Sequence, residues 1–136
     1  HLMRAESDYE AYTGIGARVT PQDVLEDQTN VARVLEARGF TLRSGGADGS
    51  DDAFERGIAD RRMKEIFLPW EGFNRRKDGI VLDRGLMSRA MEIAQHFHPG
   101  WENCSPAAKK MHTRNTPQVL GRNLNQPSRF VLAWTK

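Results

Sequence analysis

The residues able to do chemistry gather in two glycine-rich stretches, each behind a short apolar run and each opening a helical pattern. The first is Tyr12-Thr13-Gly14-Ile15-Gly16-Ala17-Arg18. The second is Arg43-Ser44-Gly45-Gly46-Ala47-Asp48-Gly49-Ser50-Asp51-Asp52. Glycine lets backbone N–H groups turn toward a ligand with no side chain in the way, and a helix N-terminus behind the turn adds donors and partial positive charge. Placed at the same end of neighbouring parallel strands, Gly14, Gly16, Gly45, Gly46 and Gly49 would line one cradle for a phosphate or nucleotide. Ser44 adds a hydroxyl. Arg18 is positioned to reach back over the first turn and hold a phosphate with its planar fork.

The second stretch carries more than a phosphate site needs. Asp48, Asp51 and Asp52 crowd it, and Glu55 follows one helical turn after Asp51. Three carboxylates beside an anion would repel it. They suit ribose hydroxyls, a base edge, a metal or a water to be activated. An N-glycosidase needs a carboxylate near the ribose, to steady oxocarbenium character or to activate water. Asp48, Asp51 and Glu55 are the candidates. The competing role is helix capping, with Ser50 or Asp51 as N-cap and Asp52 in the first turn.

Further candidates lie later in the chain. Arg114 and Asn115, expected at the end of a helix, are placed to contact a base or a phosphate. Trp70 is the base-stacking candidate, whereas Trp134 reads as packing. His96, His98 and His112 with Cys104 match no closed structural zinc spacing, and His98-Pro99 reads as a turn. No metal and no cofactor is therefore expected.

These residues need elements to hold them. Tyr9 to Thr13 reads as a weak first strand. Thr20-Pro21-Gln22-Asp23 reads as an N-cap, a proline in the first turn and an early acid, and Gly39 ends that helix. Phe40 to Arg43 is a second strand, Asp51 to about Asp60 a second helix, and Glu65 to Leu68 a third strand ended by Pro69. Trp70 to Leu82, without clean periodicity, reads as a long loop and a candidate lid. Leu86, Ala90, Ile93, Ala94 and Phe97 share one helical face. Ser105-Pro106 starts another helix running toward Arg114, its end disturbed by Pro117. Phe130 to Trp134 reads as a strand buried on both faces. The order strand–helix–strand–helix–strand predicts an α/β domain with a mainly parallel sheet.

The bulk properties narrow the class. The chain has 136 residues and a formal net charge of +2, which suits one domain, 1–136, and is too mild a charge to argue for nucleic acid by itself. The single cysteine, Cys104, excludes an internal disulfide and suits a reducing compartment. No stretch approaches transmembrane length, so no membrane partner is expected. His1-Leu2 reads as a cloning remnant, with Met3 as the native start. The final strand has no following helix, so a shortened member of the class, or cover from a partner or a further segment, is expected; from this follows a homo-oligomer.

Thr13-Gly14-Ile15-Gly16-Ala17-Arg18, Arg43-Ser44-Gly45-Gly46-Ala47-Asp48-Gly49-Ser50-Asp51 and Ile66-Phe67-Leu68-Pro69-Trp70 resemble the SLOG superfamily. Those Rossmann-like proteins include the LOG nucleoside-monophosphate phosphoribohydrolases and the DNA-processing protein A family. Arg114-Asn115, Gln118-Val119-Leu120-Gly121-Arg122 and Pro127-Ser128-Arg129-Phe130-Val131 extend the resemblance, which is strongest to small DNA-processing-A-like proteins of bacteriophages and bacteria. The Pro-Gly-Gly-x-Gly-Thr-x-x-Glu motif of the LOG enzymes is absent. The resemblance implies a three-layer Rossmann-like fold in the cytoplasm of a bacterial or phage-infected cell. It implies binding of a nucleotide or nucleotide-derived ligand, with N-glycosidic hydrolysis of a nucleoside monophosphate as the associated activity. The alternatives it implies are single-stranded DNA binding and a phage-encoded protein that binds a host protein.

Overall fold

The computed structural model describes residues 10–136. Its four strands are β1 (Ala11–Gly16), β2 (Thr41–Ser44), β3 (Lys64–Ile66) and β4 (Val131–Trp134). The helices are α1 (Gln22–Ala37), α2 (Ser50–Arg56), α3 (Arg84–Phe97) and α4 (Pro106–Leu120). The sheet runs β3-β2-β1-β4, and every pairing is parallel. This is a three-layer, Rossmann-like α/β arrangement. The first strand-to-strand crossovers step outward from β1 through β2 to β3. The chain then returns through α3 and α4 to the other side of β1. The direction reverses between β1 and β4, and crevices at the C-terminal strand ends of such a switch point are where open α/β sheets bind ligands.

The two faces of the sheet differ in chemistry. Tyr12 and Leu42, in register on β1 and β2, bury against Phe54 of α2 and Ala32 of α1. Tyr12 stacks on Phe130 at 5.6 Å between ring centres. Thr13 and Arg43, also in register, point the other way, toward α4. The Thr13 hydroxyl donates to the Gln118 carbonyl. Arg43 is 1 % exposed; its guanidinium donates to the Val119 carbonyl at 3.3 Å, the Gln126 carbonyl at 2.6 Å and Glu65 at 3.0 Å. A cation at the C-terminal carbonyls of α4 meets the negative end of the helix dipole. This buried cation, rather than apolar packing alone, fixes α4 to the sheet.

Several expectations are corrected. β1 spans Ala11–Gly16, so Gly14 and Gly16 are strand residues and the turn begins only at Ala17. The reason is close approach by α2. A Cβ on Gly14 would come within 2.8 Å of the Phe54 ring, and one on Gly16 within 2.6 Å of the Ser50 Cβ. Glycine inside a strand marks such an approach. α2 stops at Arg56, with Gly57 as C-cap and Gly49 (φ 79°) as N-cap; neither Ser50 nor Asp51 caps it. Thr20 does not cap α1, whose N-cap is Pro21; its hydroxyl instead bonds the Ala17 carbonyl at 2.8 Å.

The candidate lid is packed down. Ile80 forms an isolated parallel bridge with Phe67, Phe73 is buried, and the segment extends the β3 edge. α4 runs through Pro117 to Leu120, so Arg114 lies inside the helix, not at its end. A proline in the last turns removes one N–H, and the Thr116 hydroxyl, bonded to the Ala90 carbonyl at 3.0 Å, holds that turn onto α3. β4 is not buried on both faces. As an edge strand paired only with β1, it leaves Val131 48 % exposed. The expected start of β1 at Tyr9 and the reading of residues 1–3 lie outside the described residues.

Candidate functional site

The first loop is fixed by bonds to two other elements. The Ala17 N–H donates to the Trp134 carbonyl at 3.1 Å, and the Ser50 N–H to the Ala17 carbonyl at 3.1 Å. Ser50 is fully buried, its hydroxyl shared with Thr20 at 3.0 Å and with the Gln28 amide at 3.0 Å. The two glycine stretches thus lie at the same end of adjacent strands and are joined through Ser50.

Asp51 joins them a second time. Its side chain is 5 % exposed. The Ala47 N–H donates to Oδ2 at 3.4 Å, and the N–H groups of Gly45 and Gly16 also favour the ionised carboxylate. Donors that were expected to hold a ligand phosphate therefore hold this internal carboxylate. Burial pushes its pKa up to about 6, against the opposing effects of the Arg114 charge and those backbone donors. A carboxyl that exchanges its proton near neutral pH is suited to acid–base work.

α4 supplies the opposite wall. Met111, Arg114, Asn115 and Gln118 follow the spacing that puts residues on one helical face. Arg114, 7 % exposed, donates through Nη1 to the Gly45 carbonyl and through Nε to Asn115 Oδ1 at 3.2 Å; its guanidinium lies 5.4 Å from the centre of the Phe73 ring. Burial lowers its pKa, and the nearby Asp51 charge offsets part of that. Gly45 must be bare for this convergence. A Cβ there would meet Arg114 Nη1 at 2.7 Å, Asp51 Oδ2 at 2.8 Å and the Gln118 amide nitrogen.

Between these walls opens a cleft of about 470 Å³ at the C-terminal ends of β1 and β4. Arg18, Asp51, Arg114, Asn115, Gln118, Thr135 and Lys136 supply its polar side chains, and Gly16 its bare backbone. Arg18 is exposed, with Nη2 3.7 Å from the Met111 sulfur. Two guanidiniums and the Lys136 side chain against the Asp51 carboxyl favour an anionic ligand with a hydrogen-bonding portion. The structure thus brings Gly16, Arg18, Asp51, Arg114 and Asn115 into one place. Gln118 was given no role from sequence, although its spacing from Arg114 put both on one face.

Other candidates sit elsewhere. Gly14 is packed under Phe54, Gly46 against Leu68 and Arg76, and Gly49 against the Ala17 and Arg18 carbonyls. The Ser44 hydroxyl is buried and donates to the Gly14 carbonyl at 2.6 Å. Asp48 is exposed and accepts from the Asn74 amide at 3.1 Å, outside the cleft lining. Glu55 accepts from Arg76 at 2.7 Å through both oxygens and from Lys64 at 2.8 Å. Those cations hold its pKa below the ordinary value against the opposing cost of burial. Trp70 packs edge-on against Phe73, 5.4 Å between ring centres, beside the core.

No family model, curated protein or solved structure matches the chain. Among the described residues, no helix is long and apolar enough to cross a membrane.

Proposed function

We propose that the chain binds a nucleotide or nucleotide-derived ligand in the cleft between β1, α2 and α4. Arg18 and Asn115 take the phosphate, and Asp51 faces the ribose. The observation that carries this reading is the buried Asp51 carboxyl, with a pKa of about 6, in a cleft that also holds Arg18 and Arg114. The phosphate is held by side chains rather than by glycine N–H groups, because the Ala47 N–H already bonds Asp51 and those of Gly45 and Gly16 act on the same carboxylate. With its proton near balance at neutral pH, Asp51 is suited to activate water at a ribose C1′ or to steady oxocarbenium character there. N-glycosidic hydrolysis of a nucleoside monophosphate is the reaction class this supports.

The test incubates the protein with the common ribo- and deoxyribonucleoside monophosphates. Binding is followed by calorimetry and free base by chromatography. Binding with base release that collapses in Asp51→Asn supports the full reading. Binding without release leaves a nucleotide-binding protein and removes the hydrolase. No mononucleotide binding, with steeply salt-dependent capture of single-stranded DNA, replaces the reading with strand binding.

A further inference from the structure

On the opposite side of α4 from Arg43, three residues distant in sequence come together. His98 caps the C-terminus of α3, Cys104 follows the short helical turn Trp101–Asn103, and His112 lies in α4. One ligand atom from each, imidazole nitrogens and the thiol sulfur, lies within 4.8 Å of the others. All three are half-buried. The two imidazoles are 4.1 Å apart between ring centres. His98 Nδ1 is buried with no hydrogen-bond partner, an expense that buried polar groups seldom bear.

The surrounding chain holds this cluster in place. Trp101 N–H donates to the His98 carbonyl at 3.2 Å, Asn103 N–H to Gly100 at 3.0 Å and Cys104 N–H to Trp101 at 3.0 Å. The Cys104 thiol donates to the Gly100 carbonyl at 3.4 Å. Ser105 caps α4 by accepting from Ala108 N–H at 3.1 Å, which sets the register of His112. A cavity of about 380 Å³ between α3 and α4 has both imidazoles on its wall. It gives an ion a route in and leaves room for water.

We propose that His98, Cys104 and His112 form a three-ligand zinc site with a solvent molecule in the fourth position. Imidazole nitrogen and thiolate sulfur are both donors that Zn²⁺ takes, and its open sites combine three protein ligands with a solvent molecule. Bonds of about 2.0–2.3 Å place tetrahedral ligand atoms roughly 3.3–3.8 Å apart, so the cluster needs to contract by about 1 Å. Zinc would give His98 Nδ1 the partner it lacks, and the Cys104 thiol would release its proton to solvent on binding. The proposal does not depend on the nucleotide reading.

The sole cysteine makes the test direct. The intact chain, stripped with a chelator, is titrated with Zn²⁺ against a chromophoric competitor, and Cys104 is alkylated with and without the ion. The expected result is one ion per chain and loss of Cys104 reactivity on loading. Co²⁺ in place of Zn²⁺ should give a thiolate charge-transfer band and quench Trp101, which lies 6.5 Å from both imidazoles. Cys104→Ser and His112→Asn should each lower zinc affinity by at least roughly the 100-fold that even an outer-shell partner can contribute. Undiminished alkylation of the wild-type protein in saturating zinc overturns the proposal, and needs no variant to fold. So does wild-type affinity in both variants.

Discussion

Arg114 and Asp51 meet at the bare backbone of Gly45, the guanidinium bound to the Gly45 carbonyl and both side chains filling the space a Cβ would take. One glycine thus separates and orients the two buried charges of the cleft. Neither charge is free to rotate toward solvent, and each changes the protonation balance of the other.

The first prediction follows from that burial. The Asp51 pKa is raised from 3.8 to about 6 in the folded chain. A raised carboxyl means that the folded state binds the proton more tightly than the unfolded one between those values. Stability from this group is therefore present below about pH 4 and lost as pH rises through about 6, by roughly 3 kcal/mol. Asp51→Asn should flatten that fall. Urea midpoints from pH 4 to 7.5 check it; an unchanged slope in the variant would show that another group titrates.

The second concerns the flush seating of α2. Gly16→Ala drives a methyl into Ser50 and the Trp134 carbonyl, and overpacking of this kind costs about 1–3 kcal/mol. Gly85→Ala, in α3 with its nearest foreign atom 3.7 Å away, should instead stabilise by about 0.5–1 kcal/mol. Equal melting temperatures for the two variants would refute the close-approach account.

A third prediction isolates the buried cation that anchors α4. Arg43→Met removes the guanidinium's bonds to Glu65 and to the carbonyls of Val119 and Gln126. Removing one partner of a buried pair costs about 3–5 kcal/mol. Chemical denaturation should register that loss; a change under 1 kcal/mol, the range of an exposed pair, would contradict the role.

Glu55 separates stability from the cleft. Its pKa is lowered by Arg76 and Lys64, so its stabilising contribution is present above the unfolded carboxylate value and is lost as pH falls through the folded one. Glu55→Gln should destabilise the protein at neutral pH and leave nucleotide affinity unchanged. A drop in affinity at full foldedness would bring Glu55 back into the site.

How much of this was readable beforehand depends on where each cause lies. The alternation of strands and helices was legible because apolar runs and breakers such as Gly39 and Pro69 act locally. The bareness of Gly14 and Gly16 was legible too, but not its cause: the atoms that exclude a Cβ belong to Phe54 and Ser50, far along the chain. Arg114 was singled out as a ligand contact, yet its burial depends on Gly45 and Phe67 carbonyls that only the fold brings near. β4 looked central because composition reports apolarity and not strand order. The capture of backbone donors by Asp51 was invisible for the same reason, since Asp48, Asp51 and Asp52 are chemically alike in sequence.

The last prediction tests the ligand side of the cleft with the residue least entangled in the fold. Arg18 lies in the loop after β1, is exposed, and among the described residues its side chain has a hydrogen-bond contact only with the Met111 sulfur. Replacing it should therefore leave stability within about 0.5 kcal/mol of wild type. A hydrogen bond between charged groups contributes about 1.5–3 kcal/mol, so Arg18→Ala should weaken a nucleoside monophosphate by roughly 10- to 150-fold. The unphosphorylated nucleoside should bind both proteins alike, because its base and ribose do not meet the guanidinium. Arg18→Lys should recover part of the loss, keeping the charge without the planar fork. Calorimetry on the six combinations of protein and ligand separates the cases. Equal loss for nucleotide and nucleoside would place Arg18 on the base or sugar. No loss for either would move the phosphate toward Asn115 and Arg114, on the opposite wall.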